Sequence, residues 1–73
     1  MKKFYITFGF GHVDSKGKPL KNMYTIITAR NECGARDMMF DSPVGKQWAF
    51  LYHTKKEAGV SRFNLTFKPF NEL

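Results

Sequence analysis

The sequence is poor in cysteine, in acidic residues and in long apolar segments. Its single cysteine, Cys33, cannot form an intrachain disulfide, which excludes the disulfide-stabilised scaffolds typical of small secreted domains. No segment approaches the ~20 apolar residues of a membrane-spanning helix. The short, mixed apolar run near the start of the chain leads into a polar turn without a small-residue cleavage site. We therefore expect an intracellular protein with no membrane partner.

Basic residues outnumber acidic ones, with 12 Lys and Arg against 6 Asp and Glu, so the net charge is +6. This surplus permits binding to nucleic acid or to an acidic protein surface, and it also keeps a small protein soluble. Hydrophobic residues make up 42% and aromatic residues 16% of the chain, unlike the composition of disordered segments. The 73 residues have room for a single domain, 1–73, whose core must be small.

Four segments have the pattern of strands. Residues 3–10, 48–53 and 62–68 alternate between apolar and polar side chains, as strands with one buried face do, and Met23–Ala29 is rich in β-branched residues. Pro69 ends the last of them, because proline cannot donate to a strand ladder. The residues expected on one face of the first strand are Phe4, Ile6, Phe8 and Phe10, and those of the last are Phe63, Leu65 and Phe67.

One helix is predicted between the second and third strands. Asn31 is a favourable N-cap, and Pro43 ends the helix near Asp41 or Ser42. The residues spaced for one face of this helix are Ala35, Met38, Met39 and Ser42. The charged residues 55–59 are expected to form a turn. The chain is therefore predicted to be α+β: a single ββαββ domain with a four-stranded, largely antiparallel sheet in the order 2-1-3-4. The helix packs on one face and leaves the second face open.

Catalysis and metal binding receive little support. Cys33 has only His12 and His53 as histidine bases, and these residues lack the paired spacing of metal sites. Residues 9–11 form a Gly-x-Gly, but the third glycine and the following helix of a phosphate-binding loop are missing. We predict no catalytic residue, no metal and no cofactor, and hence a protein that is not an enzyme.

Nucleic-acid binding is one alternative. An open sheet face could present Tyr5 for stacking on bases, as single-stranded RNA-binding sheets do, with basic side chains beside it. The basic candidates are Lys3, Lys55, Lys56, Arg62 and Lys68. The lysine-rich turns at 16–21 and 55–56 are expected at opposite ends of the sheet, which argues against one continuous groove.

Protein binding is the leading hypothesis, because an aromatic face left uncovered by one short helix is suited to a partner. The candidate contact residues are Tyr5, Phe40, Trp48 and Tyr52, with Lys55, Lys56 and Arg62 as charged surroundings. Phe40 lies off the buried stripe of the helix, so it is either exposed or folded over the helix end. A second copy of the chain, forming a homodimer, is an alternative occupant of the face.

Three motifs occur together: Tyr-Ile-Thr-Phe-Gly-Phe-Gly-His at 5–12, Ala35-Arg36 with Met39-Phe40, and Gly45 with Trp48-Ala49-Phe50 and Tyr52. In this order and spacing they resemble a group of small proteins encoded by bacteriophages. The resemblance runs through the third strand and carries over no site residue. It implies a phage origin, the host cytoplasm, and binding to host or phage protein machinery, sometimes to counteract host defence.

Overall fold

An antiparallel hairpin of β1 (Lys2–Thr7) and β2 (Met23–Ala29) forms the centre of the computed structural model, which describes residues 1–45 and 47–73. Phe4 lies opposite Ile27, and Ile6 lies opposite Thr25. All four side chains are buried on one face of the sheet, which we call the first face. The predicted alternation of β1 and the predicted bounds of β2 are therefore confirmed.

β1 ends three residues earlier than predicted, because the chain turns at residues 9–12. The N–H of Gly9 donates to Nδ1 of His12 at 2.8 Å, and the N–H of His12 donates back to the Gly9 carbonyl at 3.2 Å. Gly11 has φ +92°, a conformation that favours glycine. This turn removes Phe10 from the strand, and its ring is 85% exposed. The prediction that Phe10 shares the buried face of Phe4 is wrong.

Helix α1 (Glu32–Asp41) packs on the first face and has the predicted bounds. The side chain of Asn31 accepts a hydrogen bond from the N–H of Gly34 at 2.9 Å, which satisfies one of the free donors at the start of the helix. Ala35 and Met39 are fully buried, as their spacing predicts, whereas Met38 is 36% exposed, so its place on the buried face is wrong.

The last third of the chain contains β3 (Phe50–Tyr52), helix α2 (Lys55–Ala58), β4 (Thr66–Phe67) and a 3-10 helix (Phe70–Glu72). The sheet order is β3-β1-β2-β4, and β4 pairs with β2 in parallel. The mixed four-stranded sheet confirms the α+β class. The predicted neighbours of β1 and the largely antiparallel sheet are correct, but the predicted pairing of the fourth strand with the third is wrong.

The crossover from β3 to β4 explains this difference. β3 is antiparallel to β1 and β4 is parallel to β2, so residues 53–65 must carry the chain back over the sheet. Parallel strands need a connection of about a dozen residues or more, which is often helical. Thr54 accepts a hydrogen bond from the N–H of Glu57 at the start of α2, and Gly59 ends the helix with φ +73°. The segment predicted as a charged turn is therefore a short helix.

The second face of the sheet is covered where the crossover passes. Ala58 and Val60 are buried together with Tyr24, and Tyr5 and Tyr52 pack at the margin of this cluster. The prediction that the second face is left open is wrong where α2 and the residues after it pack on the sheet. No helix among the described residues is long and apolar enough to span a membrane.

Candidate functional site

The outer side of β3 carries a shallow pocket of about 380 Å³ between the strand and α1. We call this area the β3-edge surface and define it by four of the residues that line the pocket, which are Arg36, Phe40, Trp48 and Phe50. Phe40 is 49% and Phe50 61% exposed, so both rings offer apolar area to solvent. Exposed aromatic side chains are enriched at interaction sites.

Two of these residues lie on α1, and the other two lie in β3 or just before it. Arg36 and Phe40 lie one turn apart on α1, outside its buried stripe. The rings of Phe40 and Trp48 meet edge to face, with centroids 6.0 Å apart. The guanidinium carbon of Arg36 lies 5.7 Å from the centroid of the Trp48 ring, and one guanidinium nitrogen lies 3.4 Å from a carboxylate oxygen of Glu32. The surface thus combines aromatic area with a cation held in place.

The backbone of β3 adds hydrogen-bonding groups to this surface. The Thr7 carbonyl accepts from the N–H of Ala49 at 2.8 Å, so Thr7 directs its backbone towards β3. Its partner Phe50 therefore directs its own backbone towards β1. The direction of the backbone N–H and C=O groups alternates from one residue to the next along a strand. The N–H and C=O groups of Leu51 therefore point away from the sheet. No described strand pairs with that side of β3.

The structure separates the four predicted protein contacts into two pairs. Phe40 and Trp48 belong to the β3-edge surface. Tyr5 and Tyr52 are paired neighbours on the second face, where the segment around Ala58 half-buries them. Tyr52 remains connected to the edge, because its ring centroid lies 6.1 Å from that of Phe50. Of the two alternatives for Phe40, exposure is the one observed.

The five predicted basic contacts also divide. Lys55, Lys56 and Arg62 line one depression of the surface, and all three are exposed. Lys3 lies near the start of β1, at the opposite end of that strand from Thr7. Lys68 is mostly buried, because its ammonium group lies 3.1 Å from a carboxylate oxygen of Asp14. Lys68 is therefore a structural residue, and the predicted set does not form one surface.

Asp14 organises the loop between β1 and β2. Its Oδ1 accepts hydrogen bonds from the N–H groups of Lys16 and Lys18 at 2.8 and 2.9 Å, and its Oδ2 faces Lys68. The hydrogen bond from Lys18 contributes most to a lowered pKa of the Asp14 carboxyl group, burial opposes it, and Lys68 and Lys16 lower it further. The folded state therefore favours the charged carboxylate.

We expect acid to destabilise the protein through Asp14. Because its pKa in the folded state lies below the ordinary value of 3.8, its stabilising contribution is complete above about pH 5. That contribution is lost as the pH falls through the lowered pKa. Asp14→Asn should reduce the free energy of unfolding at pH 7 and flatten its dependence on pH between about 5 and 3, measured by urea denaturation.

Asp37→Asn is the control, because it removes the same charge from an exposed position on α1. It should leave most of the acid dependence intact. If Asp14→Asn and the wild type lose the same stability between pH 5 and 3, Asp14 is not the group responsible.

Both histidines considered for catalysis have polar contacts of their own. Cys33 is exposed in the first turn of α1, and Nδ1 of His12 accepts a hydrogen bond from the N–H of Gly9. Nε2 of His53 lies 3.6 Å from a carboxylate oxygen of Glu32. Within residues 1–45 and 47–73, no group of three or more His, Cys, Asp or Glu side chains could hold a metal ion.

Sequence reasoning missed exposed aromatic residues beyond Phe40. It placed Phe10 and Phe63 in alternating strands, whereas both rings project from turns. Gly9 and Gly11 on either side of Phe10 signalled a bend, and Asn64, which has φ +52°, follows Phe63. Turn residues next to an aromatic side chain were the available signal.

Comparison of the chain with protein-family models, curated proteins and solved structures finds no match.

Proposed function

We propose that this chain is a non-enzymatic accessory protein that binds another protein through the β3-edge surface. The observation that carries the proposal is the combination of an outward-facing backbone at Leu51 with the exposed rings of Phe40 and Phe50 beside it. Exposed strand edges accept a further strand, in which main-chain hydrogen bonds provide affinity and neighbouring side-chain pockets provide specificity. β3 has both the outward-facing backbone groups at Leu51 and the exposed side chains beside them that this kind of binding uses.

The composition of the surface suits a protein contact. Aromatic side chains and arginine are enriched at the centre of protein interfaces, where they carry most of the binding energy. Trp48 is half-buried against the core, so its ring is already ordered before a partner arrives. An ordered anchor loses less conformational entropy on binding.

The biological setting in the proposal comes from the resemblance to bacteriophage proteins. It makes the partner a host or phage protein in the host cytoplasm, and it makes interference with host defence a reasonable role. A homodimer is the alternative occupant, because a second β3 could pair with the first across a two-fold axis. Sedimentation of the purified protein separates these cases, since a homodimer needs no other component.

Affinity capture from host lysate tests the proposal when wild type and matched variants are compared. Phe40→Ala should lower the affinity for the captured partner by about 30-fold or more, which corresponds to loss of one interface hot spot of about 2 kcal/mol. The control is Phe67→Ala. Phe67 is also 49% exposed and contacts one aromatic ring, but it lies on β4 at the other edge of the sheet.

A partner retained by wild type and Phe67→Ala, and lost by Phe40→Ala, supports the β3-edge surface. Equal retention by all three proteins contradicts it, as does the absence of any specific partner. Circular dichroism of each variant verifies that the fold is intact.

A further inference from the structure

A second surface lies beyond the crossover, on the side of the sheet opposite α1. We call it the basic groove. Its members are two exposed rings and four exposed basic side chains, which are Phe10, Phe63, Lys21, Lys55, Lys56 and Arg62. Phe10, Lys21 and Phe63 line one depression of about 310 Å³. Lys55, Lys56 and Arg62 line the next one, of about 550 Å³.

The two depressions adjoin at Gly59. This glycine lines the depression that contains Arg62, and a Cβ atom built on it would lie 2.6 Å from Cδ2 of Phe63. The Phe63 ring therefore rests directly on the backbone at the end of α2, between the two halves. The two depressions therefore meet at this ring, which could not pack so closely if residue 59 had a side chain.

Each exposed ring has a cation over it. The Lys21 ammonium nitrogen lies 4.9 Å from the centroid of Phe10, and the Arg62 guanidinium carbon lies 5.4 Å from that of Phe63. Such contacts favour orientations that keep both positive charges next to the apolar rings. Phe10 is 85% and Phe63 61% exposed, so much of each ring remains free for a ligand.

The charge of the groove has one sign over most of its length. Four cations line it, and the nearest acidic residue along the chain is Glu57 on α2. The Glu57 carboxylate accepts a hydrogen bond from the hydroxyl group of Thr54 at 3.2 Å, at the start of the helix. A ligand with regularly spaced negative charges complements this arrangement.

We infer that the basic groove binds single-stranded nucleic acid. Phosphates would contact the four cations, and unpaired bases would stack on Phe10 and Phe63. A duplex has its bases stacked internally and would leave both rings unused. An acidic protein segment would match the charges but would not use two separate flat rings as stacking platforms. This surface differs from the sheet face considered from the sequence, because it includes Phe10 and Lys21 and excludes Lys3 and Lys68.

Fluorescence anisotropy with labelled 20-nucleotide oligo(dT) and oligo(U) tests the inference. Binding to either oligonucleotide at 50 mM salt supports it, and the tighter of the two identifies DNA or RNA as the ligand. Four released counterions predict that log K falls with log salt at a slope of about −3. Lys55→Gln with Lys56→Gln should make that slope shallower by about 1.4.

Two controls separate the groove from general charge attraction. Lys16→Gln with Lys18→Gln removes the same charge from the exposed loop around Asp14 and should change binding much less. Phe10→Ala should weaken binding at least about fivefold through loss of stacking, whereas Phe67→Ala should not. Phe10 is so exposed that its replacement should leave the fold intact.

Several outcomes overturn the inference. One is the absence of binding at 50 mM salt, and another is equal affinity for a duplex of the same length. Equal losses for the two lysine pairs, or no effect of Phe10→Ala, would show charge attraction without a groove. Competition by poly-glutamate as strong as that by oligonucleotide would indicate an acidic protein ligand instead.

Discussion

Phe4→Ala is expected to leave most of the protein unfolded at 25 °C. Phe4 is buried at the centre of the first face, where it lies opposite Ile27 on β2 and its ring meets His53 edge to face at 5.4 Å. Removing a buried phenylalanine ring costs about 3–5 kcal/mol, because apolar burial is lost and a cavity remains. The core of a chain this small rarely supplies more than about 3–5 kcal/mol of net stability. One substitution is therefore enough to unfold most of the protein.

Urea and thermal denaturation followed by circular dichroism measure this effect. Phe67→Ala is the matched control, because it removes the same ring from a half-exposed position and should cost less than about 1 kcal/mol. If Phe4→Ala unfolds cooperatively with a midpoint close to that of wild type, the first face is not the core on which stability depends. Both proposed surfaces should be lost with the fold, because both are built on this sheet.

Gly59→Ala is expected to destabilise the protein by about 2–3 kcal/mol. Gly59 has φ +73°, and a residue with a Cβ in this left-handed conformation costs about 1–2 kcal/mol. The new methyl group would also lie 2.6 Å from the Phe63 ring, which would have to move. The variant should therefore weaken oligonucleotide binding as well as stability.

Gly17→Ala separates the two contributions to this cost. Gly17 has φ +79°, but no atom lies within 4 Å of the position that its Cβ would occupy. It should show the backbone cost alone, so its destabilisation should be smaller than that of Gly59→Ala. Equal destabilisation of the two variants, measured by urea denaturation, would mean that the contact between Gly59 and Phe63 contributes nothing.

The elements predicted well from the sequence depend on groups close together in the chain. The bounds of α1 follow from the Asn31 cap and from Pro43, and those of β2 from its β-branched residues between turns. Helix α2 belongs to the same class and could have been predicted. Thr54 and Glu57 have the Thr-x-x-Glu spacing of a capping box, and Gly59 is a typical helix-ending residue.

The candidate surfaces were only partly predictable. Helical geometry places Phe40 and Arg36 on the side of α1 away from its buried stripe, so their exposure follows from the sequence. Their contact with Trp48 does not, because Trp48 precedes β3 and reaches the helix only when β3 pairs with β1. The pairing of Lys68 with Asp14 likewise joins residues far apart in sequence.

By itself the sequence determined the hairpin of β1 and β2, the bounds of α1, the burial of one sheet face and the excess of positive charge. Hydrophobic periodicity and capping act over a few residues, so they can be recognised without the fold. Only the tertiary structure decided that β4 pairs with β2 and that α2 crosses the second face. The position of β4 depends on where the segment between β3 and β4 can bury its apolar residues. Here Ala58 and Val60 do so on Tyr24, more than thirty residues away in the chain.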